Sequence, residues 1–183
     1  QSHIAETEKY AHVSYFFNGG REDPHENEKH ILIESRKDIR THDHAPRMRA
    51  KEITDSALER LKESDDFILI NYANADMVGH TGNASATKTA VEAIDEELSR
   101  LVPAVLKRGG TVLITADHGN AETNVDSVTG EMHTAHTTNK VPCILTTEGA
   151  KLRDGSLRDI APTILELMEL PSPPSMTGTT LLG

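Results

Sequence analysis

Hydrophobic residues along the chain form two kinds of stretch, short continuous apolar runs and longer runs with helical spacing. The continuous runs have the length and composition of buried β-strands. They cover residues 30–35, 66–73, 111–116 and 141–147. The other stretches place apolar residues three or four positions apart, which is typical of amphipathic helices. They cover residues 9–17, 47–64, 84–108 and 157–170.

Strand and helix alternate along the chain, so the sequence predicts an α/β fold with three layers, α/β/α. In this arrangement helices cover both faces of a largely parallel sheet. Residues 119–139 form a long polar loop, and the proline-rich tail from Pro171 is expected to wrap around the surface. A length of 183 residues suits a single domain that spans 1–183.

Acidic and imidazole side chains follow two of the predicted strands. The motif NADMVGH follows the strand at 66–73, and DHGN follows the strand at 111–116; a third segment, HTAHTTN, adds two histidines. The candidate ligands are Asp76, His80, Asp117, His118, His133 and His136. Because ligands gather at the carboxyl ends of strands in such sheets, we expect these side chains to converge at one rim.

This set of ligand atoms indicates a metal site. Carboxylate oxygens and imidazole nitrogens without a thiolate suit Mn²⁺ or Zn²⁺, with Mg²⁺ or Co²⁺ as alternatives. The set exceeds the needs of one tetrahedral ion and would serve two ions about 3.5–4 Å apart. Each residue alone is more often a helix cap, a loop anchor or a solvent-facing side chain, but three such segments together favour the metal site.

Five other histidines are expected to have no role in metal binding. His42 and His44 lie in a connection without a preceding strand and are interpreted as solvated. His12 is interpreted as a packing or hydrogen-bonding residue of the first helix. His25 and His30 belong to a charge-rich loop, for which we predict no site.

Composition excludes several classes of partner. The chain has 29 acidic and 19 basic residues and a formal net charge of −10, which disfavours nucleic acid and anionic membranes. Cys143 is the only cysteine, which excludes an internal disulfide and favours a reducing, cytoplasmic compartment. No apolar run approaches the roughly 20 residues that span a bilayer, and no signal peptide is evident.

The chain opens at Gln1, so we interpret it as a segment of a longer protein.

Five motifs in fixed order carry a family resemblance across residues 5–182. They are AETEKYAHVSYFFNGG, NYANADMVGHTGN, ITADHGNAE, HTAHTTNKVP and LRDIAPTILELMELPSPPSMTG. Together they resemble the C-terminal portion of the cofactor-independent (2,3-bisphosphoglycerate-independent) phosphoglycerate mutases, a family of the alkaline phosphatase superfamily. ADHGN alone would suggest only the superfamily. The resemblance implies an alkaline-phosphatase-like fold.

The resemblance also implies a function and roles for particular residues. The family interconverts 2- and 3-phosphoglycerate in glycolysis and gluconeogenesis, through a phosphoserine enzyme with two Mn²⁺ or similar ions. The implied ligands are Asp76, His80 and His136 for one ion, and Asp117 and His118 for the other. Lys9 matches a lysine that contacts the phosphoryl group, where a cation neutralises oxygen charge. His133 matches no ligand position, and the full-length parent is expected to be a monomer.

Parts of the family pattern have no counterpart in these residues. The nucleophilic serine and a further aspartate ligand belong to an N-terminal segment, and the substrate-binding arginines belong to an inserted domain. We therefore interpret the chain as the C-terminal segment of the metal-binding, phosphatase-like domain. Alone it is expected to bind at most one divalent ion tightly and to show no mutase turnover.

Two other functions remain open at this point. The first is a metal-dependent phosphatase, phosphodiesterase or phosphopentomutase of the same superfamily, which would share the metal residues but not AETEKYAHVSYFFNGG. The second is a non-catalytic metal-binding module, which the missing nucleophile favours. An upstream segment with the serine and the arginine-bearing domain would distinguish the mutase from both.

Overall fold

The computed structural model describes residues 1–126 and 129–183. Ser127 and Val128, inside the predicted polar loop, lie outside the described residues. The chain divides into two units, which are Gln1–Gly110 with Gly119–Asn139, and Thr111–His118 with Lys140–Gly183. The single domain spanning 1–183 stays a prediction.

The first unit contains a parallel sheet flanked by helices. Its elements are β1 (Ser2–Glu6), α1 (Thr7–Ala11), a π-helix (His12–Phe16), β2 (Lys29–Ile33), a 3-10 turn (His42–His44), α2 (Ala50–Lys62), β3 (Ile68–Asn71), α3 (Asn74–Gly79) and α4 (Ala84–Lys107). The strand order is β2-β1-β3, and both pairings are parallel. The predicted α/β class with a parallel sheet is confirmed.

Strand β1 occupies the centre of this sheet, although the sequence did not predict it. All five residues of Ser-His-Ile-Ala-Glu are buried, but three of them are polar, so the segment shows no apolar run. Glu6 accepts hydrogen bonds from Ser35 Oγ (2.9 Å) and from the Arg49 backbone amide (3.4 Å). Burial raises the pKa of Glu6. Polar residues therefore fill the central strand without breaking the sheet.

Two apolar clusters hold the helices of the first unit. Ile4 of β1 packs with Ile53 and Ala57 of α2 and with Leu101 of α4. A smaller cluster joins α3 to α4 through the fully buried Val78. Complete burial of such a side chain contributes about 1.5–3 kcal/mol, so Val78 anchors the short helix α3 in one place.

The second unit contains the remaining strands and the C-terminal helix. Its elements are β4 (Leu113–Thr115), β5 (Cys143–Leu145), a 3-10 turn (Leu157–Asp159) and α5 (Ile160–Leu167). Strands β4 and β5 pair antiparallel. Within the predicted tail, the Leu181 amide donates to Thr163 Oγ1 at 2.8 Å and the Thr179 amide donates to Asp159 Oδ1 at 2.9 Å. These bonds fix the end of the tail to the turn and helix that precede it.

Several elements differ from the predictions in extent or burial. The strand predicted at 66–73 as buried on both faces is shortened to β3, whose four residues are only half-buried. The lower burial of β3 follows from its position, since β1 is the central strand of the three-stranded sheet and β3 is one of its edge strands. The first predicted helix is divided into α1 and the π-helix. Within the described part of the chain, no helix has the length and apolar character to cross a membrane.

Candidate metal centre

Helix α3 presents two of the predicted ligands on one face. Asp76 and His80 are four positions apart, a spacing that places side chains one above the other on a helix, and the His80 amide donates to the Asp76 carbonyl at 3.0 Å. Asn74 fixes the start of the helix by donating from its side chain to the Pro46 carbonyl at 2.9 Å. The sequence placed Asp76 directly after a strand, whereas the structure places it inside a short helix after β3.

His136 completes a compact triangle of ligand atoms. Asp76 Oδ1 lies 3.1 Å from His80 Nε2 and 3.1 Å from His136 Nε2, and the two Nε2 atoms are 3.1 Å apart. Ligand bonds of about 2.0–2.1 Å in tetrahedral geometry separate ligand atoms by roughly 3.3 Å. The triangle therefore has the dimensions of three ligands around one ion.

The hydrogen bonding of His80 suits a ligand. Its Nδ1 donates a hydrogen bond to the Thr134 carbonyl oxygen at 2.6 Å. Because a neutral imidazole carries one proton, this bond leaves Nε2 as the nitrogen whose lone pair can bind metal. Both histidines are exposed, so the triangle is accessible from solvent.

Asp76 is held as a carboxylate. Lys9 Nζ, on α1, donates to its Oδ2 at 2.6 Å, and Asn120 Nδ2 donates to its Oδ1 at 2.8 Å. Burial opposes ionisation of Asp76, but the hydrogen bonds from Lys9 and Asn120 outweigh it and lower the pKa to about 2. The charged form required of a metal ligand is therefore stable at neutral pH.

Glu122 holds together the two loop segments that carry Asn120 and His136. It accepts hydrogen bonds from the Asn120 amide (2.7 Å), from Asn139 Nδ2 (2.9 Å) and from Thr137 Oγ1. The bond from Thr137 is the main cause that lowers the pKa of Glu122 to about 2. Sequence reasoning assigned no role to Glu122 or Asn120, although both lie in the motif ITADHGNAE.

Gly79 provides the space in which Asn120 reaches Asp76. A Cβ atom at Gly79 would lie 2.5 Å from Asn120 Oδ1, well inside contact distance. Asn120 is buried and bonded to Asp76, so it has little room to move away. The close approach of the loop to the end of α3 therefore depends on a residue without a side chain.

Asp117 and His118 lie in the second unit, directly after β4. His118 Nε2 is 3.5 Å from Asp117 Oδ1, so the two adjacent side chains turn towards each other. Their convergence with the Asp76 triangle, and their role as ligands, stay predictions. His133 belongs to neither of the two three-ligand groups that the described residues form.

The other histidines give a mixed result. His44 is exposed, in agreement with its interpretation, while His42 is half-buried. The placement of His30 in a charged loop is wrong, because it lies on β2 with a side chain only 7% exposed. His30 is also the first residue of the strand predicted at 30–35, and β2 begins one residue earlier, at Lys29, so His30 belongs to the strand and not to the loop before it.

A family model described as the Metalloenzyme superfamily matches residues 1–172. Curated relatives named 2,3-bisphosphoglycerate-independent phosphoglycerate mutase match the whole chain. They include proteins of Acetivibrio thermocellus (54% identical), Clostridium botulinum (53%) and Paracoccus denitrificans (51%). In each case the match covers 100% of this chain and 36% of the relative, so the chain spans about a third of their length.

A solved structure has a fold similar to that of this chain. It is the phosphoglycerate mutase of Leishmania mexicana, studied at low cobalt concentration, with 30% sequence identity and a TM-score of 0.89. The similarity covers 100% of this chain and 37% of that one. A fold similar to that of this chain is therefore known from a longer protein.

Proposed function

The chain belongs to the Metalloenzyme superfamily, and on that premise we propose that it is the C-terminal part of the metal-binding domain of a cofactor-independent phosphoglycerate mutase. The complete protein would be an isomerase that interconverts 2- and 3-phosphoglycerate in glycolysis and gluconeogenesis. The observation that carries this proposal is the Asp76–His80–His136 triangle with Lys9 bonded to its carboxylate.

The proposal assigns two divalent ions to the complete enzyme, with Mn²⁺ as the physiological metal. Asp76, His80 and His136 would bind one ion. Asp117 and His118 would contribute to the second, together with residues outside this chain. A bound ion would supply positive charge that stabilises the phosphoryl oxygens during transfer. We further propose a cytoplasmic, monomeric enzyme whose partner is the small-molecule substrate.

Lys9 has two connected tasks in this proposal. Its ammonium group is largely buried and neutralises Asp76, which keeps the carboxylate ionised in a poorly solvated place. The same group adds a fixed positive charge beside the triangle, where a phosphoryl oxygen would be attracted. Positioning and charge neutralisation supply most of the rate in phosphoryl transfer, so this placement suits the proposed chemistry.

The proposed function predicts no mutase turnover from residues 1–183 alone and turnover when the rest of the relatives' length is joined to it. The nucleophile that receives the phosphoryl group has no counterpart in this chain, so the pathway through a phosphoenzyme is absent. A coupled assay with saturating Mn²⁺ and either phosphoglycerate measures this directly. His136→Ala serves as the control in both chains.

The assay distinguishes the outcomes clearly. Turnover by the longer protein that falls with His136→Ala supports the proposal. Turnover by residues 1–183 that disappears with His136→Ala would place a nucleophile within these residues. A longer protein that hydrolyses phosphate esters but does not interconvert the phosphoglycerates would favour the phosphatase alternative.

A further inference from the structure

A second group of metal-ligating side chains lies inside the first unit, on the sheet itself. His3 of β1 and His30 of β2 are directly paired in the parallel register. Paired residues of neighbouring strands project their side chains on the same side of the sheet, so the two imidazoles are neighbours. Glu28 lies just before β2 and reaches the same place.

The three side chains are close enough to share one ion. Their candidate ligand atoms all lie within 4.8 Å of one another. His3 Nδ1 is 3.8 Å from Glu28 Oε1, and His30 Nε2 contacts the same carboxylate oxygen. The two rings stack with centroids 5.3 Å apart. Small side-chain adjustments would bring these atoms to the roughly 3.3 Å separations of a tetrahedral shell.

His3 is the residue that most strongly indicates a bound ligand at this place. Its side chain is 0% exposed, and neither ring nitrogen has a hydrogen-bond partner of normal geometry among the described residues. Phe17 packs edge-on against the ring, with centroids 5.0 Å apart, and Phe67 lies at 6.4 Å. An unpaired polar group in such surroundings costs about 1–3 kcal/mol, so native proteins seldom leave one there.

The protonation state of His3 also suits a ligand. Burial lowers its pKa, and attraction to the Glu28 carboxylate and a weak hydrogen bond with the Val13 backbone oppose this lowering only in part. The ring is therefore neutral at pH 7, which is the form of imidazole that binds metal.

We propose that His3, Glu28 and His30 form a buried structural site for a divalent transition-metal ion of the Zn²⁺ class. Two imidazoles and one carboxylate are a ligand set that Zn²⁺ accepts readily. His30 Nε2, which faces the Glu28 carboxylate, gives up any proton it carries when the ion binds. This site would be a second tight site, so the proposal departs from the expectation that the chain alone binds at most one divalent ion tightly.

Neighbouring side chains can complete and orient the shell. The Asn18 amide contacts Glu28 Oε1 at 2.5 Å and lies 3.4 Å from His30 Nε2, so rotation of the amide would present its oxygen as a fourth ligand. Gln1 Nε2 donates to the other oxygen of Glu28 at 3.1 Å. An ion here would join β1, β2 and the end of the π-helix region, which stabilises the centre of the sheet.

Co²⁺ is the probe for this site, because its visible absorption reports coordination directly. The experiment uses residues 1–183 with His80→Gln and His136→Gln, which remove the solvent-exposed triangle without disturbing buried packing. We expect one equivalent of Co²⁺ to produce tetrahedral-type absorption bands and one equivalent of Zn²⁺ to displace it. Zn²⁺ should also raise the melting temperature of this protein.

Matched histidine variants test the assignment. Adding His30→Gln should abolish the bands and the Zn²⁺-dependent rise in melting temperature, whereas His25→Gln, which changes an exposed histidine of the neighbouring loop, should preserve both. His3→Asn provides a second test if the His30 variant folds poorly, and circular dichroism of the metal-free proteins checks folding. Absence of the bands before His30 is changed, or bands that persist in folded His30→Gln, would overturn the proposal.

Discussion

Replacing His136 with glutamine should weaken Mn²⁺ binding by more than about 100-fold, because it removes one of only three ligands in the Asp76 triangle. Substitution of residues that only orient metal ligands, without binding the ion, already reduces metal affinity about 10–100-fold. The His136 Nε2 atom lies 3.1 Å from both His80 Nε2 and Asp76 Oδ1, so it forms the third corner of the triangle. Calorimetric titration of chelator-treated protein measures the effect.

The sequence offers a matched control within the same motif. His133 is three positions earlier in HTAHTTN and lies outside the triangle, so His133→Gln should bind Mn²⁺ within about threefold of the unchanged chain. Mn²⁺ is the suitable probe, because it is the ion that the proposed function assigns to this triangle. An equal loss of affinity in both variants would mean that the motif acts through loop structure and that His136 is not a ligand.

Replacing Lys9 with methionine should lower the free energy of unfolding of the metal-free chain by about 2–3 kcal/mol. The side chains of Lys9 and Asp76 are only 10% and 13% exposed, and removal of one partner from a buried ion pair typically costs about 3–5 kcal/mol. Asn120 still donates to Asp76, which reduces the expected loss. Urea unfolding of metal-free protein, with and without saturating Mn²⁺, measures the change.

The destabilisation caused by Lys9→Met should depend on whether the metal ion is bound. Mn²⁺ would supply the positive charge that Asp76 loses, so the difference between Lys9→Met and the unchanged chain should shrink when the ion is bound. Lys62→Met is the control, because the Lys62–Glu59 pair is exposed and should contribute less than about 1 kcal/mol. A destabilisation by Lys9→Met that is equally large with and without Mn²⁺ would assign Lys9 a packing role only.

Local sequence patterns pointed to some residues of the candidate site. Asp76 and His80 were recognised because they follow an apolar run, and the structure brings their side-chain atoms to 3.1 Å. The choice of His136 over His133 depended on the family resemblance, since both histidines lie in the same polar loop. The Thr137 amide donates a hydrogen bond to the Gly119 carbonyl at 2.8 Å, and this contact fixes the position of the loop. Such long-range pairing leaves no local pattern.

The missed features share a physical cause. Strand β1 was not predicted because Ser2, His3 and Glu6 are polar, and their burial depends on partners distant in sequence. His30 was assigned to the charge-rich loop because it lies at the start of the predicted strand at 30–35, whereas β2 begins at Lys29. Asn120 was missed for a related reason, because its role depends on the approach of the 119–122 turn to α3. Periodicity detects apolar faces, but it does not detect buried polar pairings.

The central claim is that Asp76, His80 and His136 together bind one divalent ion. Anomalous diffraction from crystals of the chain grown with Mn²⁺ tests it most directly, because the position of the ion is observed independently of the protein atoms. We expect an anomalous peak within about 2.3 Å of Asp76 Oδ1, His80 Nε2 and His136 Nε2. Absence of a peak at saturating Mn²⁺, or a peak bound by His133 in place of His136, would contradict it.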